Sequence, residues 1–127
     1  MDNEHKVIEL NSDSIFSPAI PSEIHGVKLL RQTSDVKLVE LGVTSWPLWE
    51  SIPRKFSWKF KKTETMYFVE GKMKVRVEEH HKEGEALELM AGDLVVFPKD
   101  MKVFVDVIED VKKRYFRESE IEESELP

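Results

Sequence analysis

At 127 residues the chain has room for one modest hydrophobic core and not for two. It holds no cysteine, which excludes a disulfide framework, a thiolate metal site and a cysteine nucleophile. Its 19 basic and 25 acidic residues leave a formal net charge of −6, which argues against a nucleic acid held by phosphate contacts. No apolar run approaches the roughly 18 residues a membrane helix needs, and no leader pattern follows Met1. The chain is therefore read as a soluble, cytoplasmic protein with neither a nucleic-acid nor a membrane partner.

Residues 1–40 read as a loop-rich arm in which Asn, Ser and Pro mix with scattered apolar residues. Within it Val7, Ile8 and Leu10, and later Val27, Leu29 and Leu30, have the composition of short strands that add to a sheet edge. Trp46 and Trp49 flank Pro47 and Leu48 and are read as packing residues of the core or of an interface.

From there the pattern is strand-like and no helix is expected. Phe56, Trp58 and Phe60 alternate with Ser57, Lys59 and Lys61 at period two. Met66–Val69 leads into Glu70-Gly71, read as a turn, after which Met73, Val75 and Val77 alternate with Lys72, Lys74 and Arg76 in a hairpin with one wet face. The polar run from His80 to Glu85 reads as the tip of the next hairpin, which returns through Leu87 and Leu89. Ala91-Gly92-Asp93 is a further turn, Leu94–Phe97 an apolar run stopped by Pro98, and Val103, Val105 and Val107 a strict alternation. A last strand is expected from Val111 to Phe116, before an acidic, solvated tail at 118–127. Many short strands joined by tight turns indicate an all-β sandwich or barrel.

Glu64 and Gly71, with six residues between them, and Gly92 and Pro98, with five, stand in the skeleton of the two cupin motifs, G-x5-H-x-H-x3-E-x6-G and G-x5-P-x-G-x2-H-x3-N. Laid on this chain, the metal-binding histidines fall on Trp58, Phe60 and Val103, and of the four ligand positions Glu64 alone keeps a ligating side chain. The remaining motif positions Ile52, Asp100 and Val107 also depart. The strings Trp46–Glu50, Lys55–Trp58, Glu64–Tyr67 with Glu70-Gly71, and Ala91–Lys99 resemble the small single-domain cupins related to ureidoglycine aminohydrolase, over about Leu41 to Phe116. That resemblance implies an RmlC-like jelly roll, a double-stranded β-helix barrel, at 41–117. In those small cupins the first two histidine positions are usually aromatic too.

Ureidoglycine aminohydrolase itself is a larger two-cupin manganese enzyme. The resemblance implies for it a carboxylate and two histidines at the positions of Trp58, Phe60 and Glu64 and an amide at that of Val103. This chain has none of them in kind except a carboxylate at Glu64, where a histidine stands in the enzyme, so the activity is not carried over. Against the small relatives, Met66 and Val103 replace a frequent Cys, Val105 a Trp and Arg114 a His. A first-row metal needs several N, O or S ligands within roughly 2.0 to 2.3 Å, which Trp, Phe and Val do not supply. The expectation is a barrel without metal or other cofactor. The pair His80-His81, beside Glu78, Glu79 and Glu83, is read as a solvated loop in preference to a zinc or nickel site.

Trp58, Phe60, Glu64, Met66, Phe97, Val103, Val105 and Arg114 are the candidate ligand-binding residues. Glu64 carries two readings. In one it is a buried carboxylate satisfied by a cation such as Arg114 or by backbone amides; in the other it is the acid or base of a metal-independent enzyme of ureide-like, small-molecule metabolism. The favoured function is a small-molecule-binding or non-catalytic barrel. Open sheet edges and the apolar Trp46–Trp49 segment lead to an expected homodimer.

Overall fold

The computed structural model describes residues 14–80 and 86–118. Among these residues eight strands form one antiparallel sheet: β1 (Ser22–Ile24), β2 (Val27–Leu30), β3 (Leu48–Ser51), β4 (Arg54–Lys59), β5 (Glu64–Val77), β6 (Leu87–Met90), β7 (Leu94–Phe97) and β8 (Lys102–Arg117). The path runs β1-β2-β7-β5-β8-β3, with β4 also on β8 and β6 also on β5. The all-β expectation holds. The strand expected at Val7–Leu10, residues 81–85 of the hairpin tip and 119–127 of the acidic tail lie outside the described residues, whereas Val27–Leu30 pairs with β7, Leu29 opposite Val95.

Two expectations about local structure are corrected. Glu70-Gly71 is not a turn: β5 is one strand of 14 residues paired along its length with the 16-residue β8, which joins the separately expected strands at Val103 and Val111. The register shifts between Phe68 and Met73 mark a β-bulge. Gly71 sits there at φ 91°, and a Cβ on it would lie 2.1 Å from the Asp110 carbonyl oxygen, so only glycine lets the two strands approach this closely. The bulge has a consequence for side-chain direction. Before it the even positions Glu64, Met66 and Phe68 are buried; after it the odd positions Met73, Val75 and Val77 are. A one-residue phase change exchanges the two faces of a strand, and the bulge supplies it.

The second correction is a helix, α1 (Asp35–Leu41), in the segment read as loop. Ser34 caps it by accepting from the Lys37 N–H, and Gly42 ends it in the left-handed region. Val36 and Val39 are 77% and 81% exposed, so apolar periodicity gave no sign of it; the Ser-Asp and Gly boundaries did.

Alternation along β7 divides the core. Val95 and Phe97 face the barrel interior with Val27, Leu29, Phe68 and Val105. Leu94 and Val96 face outward onto a second cluster made by Ile15, Phe16, Leu41, Val43 and Trp46. The Leu94–Phe97 run is apolar throughout because both of its faces are covered.

Candidate functional site: a barrel cavity with a buried lysine

Inside the barrel lies a cavity of about 320 Å³. Its deep wall is apolar: Phe60 and Phe97 stack with ring centroids 4.7 Å apart, and Met73, Val75, Val103 and Val105 continue the surface. Phe60 lies just past β4, and its place is fixed by the backbone, its N–H donating to the Met101 carbonyl and its carbonyl accepting from the Asp100 N–H. Towards solvent the lining becomes polar or amphipathic. Trp58 is 46% exposed, and the Arg54 guanidinium lies 4.6 Å above the Phe56 ring.

Three charged side chains enter from β5 and β8. Glu64 is buried and accepts a 2.9 Å hydrogen bond from Arg117 Nε, directly across the register, where Glu64 pairs with Arg117. That bond holds the Arg117 guanidinium even further above its ordinary range. Lys113 is buried on the cavity wall. Its Nζ donates to Met66 Sδ at 3.1 Å and stands 4.6 Å from the centroid of Trp49 and 6.0 Å from that of Phe68. Among the described residues no carboxylate lies within ion-pair distance of it. Burial pushes its pKa down to about 8, with Arg117 adding to the shift and Glu64 opposing it.

Of the residues singled out in the sequence, Trp58, Phe60, Glu64, Met66, Phe97, Val103 and Val105 line this cavity. Arg114 does not: its Nη1 donates to the Trp46 carbonyl, and it lies opposite Tyr67 on the other face of β8. The cation on Glu64 is Arg117 instead. Lys113 and Arg117 were missed, although a signal existed. Continuing the odd-numbered alternation of Val103, Val105 and Val107 through Val111 puts Lys113, Tyr115 and Arg117 inside and Arg114 outside. Trp46 is a packing residue, its ring 5.7 Å from Phe116, whereas Trp49 lines the cavity.

The cupin metal does not fit this donor set. Trp58, Phe60 and Val103 offer no donor atom, and the Glu64 carboxylate is engaged by a guanidinium. Among the described residues no group of three His, Asp or Glu side chains converges anywhere. At the expected hairpin tip His80 is described, and its ring stacks on that of His25 at 4.2 Å.

An antiparallel sheet wrapped around an inward cavity bounded by the Glu64-x6-Gly71 and Gly92-x5-Pro98 segments defines a cupin jelly roll. The chain belongs to the EutQ-like cupin domain family, whose profile matches residues 38–115. A DUF861 family protein from Thermotoga maritima of known crystal structure is 37% identical over 72% of this chain and 98% of its own, with a TM-score of 0.65. YcfD, a ribosomal oxygenase from Escherichia coli, shares the fold at 16% identity and a TM-score of 0.51; this chain matches 24% of its length. The Clostridium difficile EutQ protein is 17% identical over 70% of this chain and 64% of its own, with a TM-score of 0.47. No curated protein matches the sequence. Among the described residues no helix is long and apolar enough to cross a membrane.

Proposed function

We propose that this protein is a small-molecule-binding cupin without a cupin metal, akin to the small relatives of ureidoglycine aminohydrolase, and that its barrel takes an anionic compound with an apolar body. The observation that carries this reading is the charge of the cavity. Among the described residues, Arg54, Lys113 and Arg117 face it against the single carboxylate Glu64, on walls otherwise mostly apolar. Three cations against one carboxylate attract an anion, Lys113 from the low-dielectric wall and Arg54 and Arg117 from the solvent-facing rim, and the stacked Phe60 and Phe97 suit a flat or aliphatic body. The reading of Glu64 as an acid or base gains less support, because Arg117 already occupies the carboxylate. The proposal includes a cytoplasmic homodimer, supported by the exposed Ile52 and Phe104 beside β4; sedimentation as a single 14.9 kDa chain at all concentrations would contradict the dimer.

Calorimetric titration with 4-methylbenzoate and its neutral isostere 4-methylbenzamide tests the binding reading. The acid should bind at least about tenfold more tightly than the amide, the difference of one good charge-assisted contact. Arg54→Gln should reduce that preference. Equal affinities, or no binding of either, would contradict the reading.

A further inference from the structure

The least expected group in the barrel is an amine. Its partners are weak ones: Lys113 Nζ meets a thioether and the faces of two aromatic rings, and no carboxylate among the described residues pairs with it. The strands packed around it bring Trp49 from β3, Arg54 from β4, Glu64 and Met66 from β5, and Tyr115 and Arg117 from its own strand to the same cavity. The amine therefore faces the cavity from a mostly apolar wall, with two guanidinium groups nearer the solvent.

We propose that Lys113 is a covalent anchor for carbonyl compounds, forming a reversible imine with an aldehyde or ketone whose apolar body fills the barrel and whose acid group meets Arg54 and Arg117. The inference rests on the anion-binding reading above for the acid group, and on Lys113 alone for the bond. The neutral amine's lone pair attacks the carbonyl carbon, the C=O π pair moves to oxygen, and that oxygen takes up a proton. The resulting carbinolamine takes up a second proton on oxygen and expels water as the nitrogen lone pair forms C=N. With the proton that nitrogen loses on the way, the net change converts an ammonium and a carbonyl into an iminium and water, with no oxidant or reductant. Burial favours the neutral amine that the first step needs. At pH 7 Lys113 presents on the order of 100-fold more neutral amine than an ordinary surface lysine.

The test is reductive trapping of the full-length protein with 4-carboxybenzaldehyde and sodium borohydride, followed by peptide mapping. The expected result is one adduct, on Lys113, forming with a pH midpoint near 8 and absent from Lys113→Met protein of unchanged circular dichroism. Adducts spread over surface lysines such as Lys72 and Lys74, with Lys113 modified no faster than they are, would overturn it. Titration with 4-methylbenzoate separates the two readings. If that acid binds while Lys113 stays unlabelled, the imine fails and the binding site stands; labelling of Lys113 without binding of the acid supports the imine and contradicts the anion site.

Discussion

Arg117 and Glu64 face each other across the paired ends of β8 and β5, with Nε 2.9 Å from Oε1; the carboxylate side chain is 7% exposed and the guanidinium side chain 50%. The pair joins a buried charge to a partner that still reaches water, so desolvation falls mainly on Glu64. Replacing that carboxylate by an amide keeps its shape but leaves the guanidinium without its counter-charge. Glu64→Gln should lower stability by about 1 to 3 kcal/mol at pH 7. Denaturant unfolding measures this, and a midpoint equal to or above that of the native protein would assign Glu64 a strained, functional role.

Lys113 gives a prediction with a sign. Its pKa of about 8 in the folded protein lies below the 10.5 of an unperturbed lysine. Below about pH 8 both states hold the proton, and the whole cost of burying the charge weighs on the folded state. Between pH 8 and 10.5 the folded protein has released a proton that the unfolded chain keeps, so stability rises with pH in that window. Lys113→Met should therefore be the more stable protein at pH 7, by about 2 kcal/mol, and the gap should close substantially by pH 9.5. A gap of constant size across that range would show that Lys113 does not change protonation there.

At the bulge, Gly71→Ala should cost about 2 to 4 kcal/mol, because the new Cβ meets backbone and not a yielding side chain, at a positive φ. Thermal unfolding beside Gly92→Ala provides the comparison. Gly92 has a similar φ of 96°, but its added Cβ would find its nearest neighbour at 3.6 Å, so it carries the conformational cost without the clash. Equal losses at the two sites would contradict the close approach of β5 to β8.

These two strands also show what the sequence disclosed and what it hid. The barrel was legible in the alternation of Phe56–Phe60 and of Val103–Val107, and most of the cavity wall in the positions the cupin motifs assign. The single long β5 was not, because a glycine that admits a bulge and a glycine that makes a turn look alike until the partner strand is known. The ionic part of the site was hidden for a related reason. Strand ends rich in Lys and Arg suggest a solvated surface, and a resemblance at Arg114 drew attention to the outward face, whereas the odd-numbered phase of β8, interrupted at the exposed Glu109 and resumed at Val111, carries Lys113 and Arg117 inward. The short α1 buries too narrow a stripe for its period to be visible, and its caps were the only cue.

The central claim, that the barrel receives an anion with an apolar body, is tested most directly by a crystal structure of the protein soaked with 4-methylbenzoate. Density for the probe is expected inside the cavity, its methyl end against Phe60 and Phe97 and its carboxylate towards Arg54 and Arg117. A saturated crystal in which the cavity stays empty, or in which the probe lies with its carboxylate away from both arginines, would contradict it.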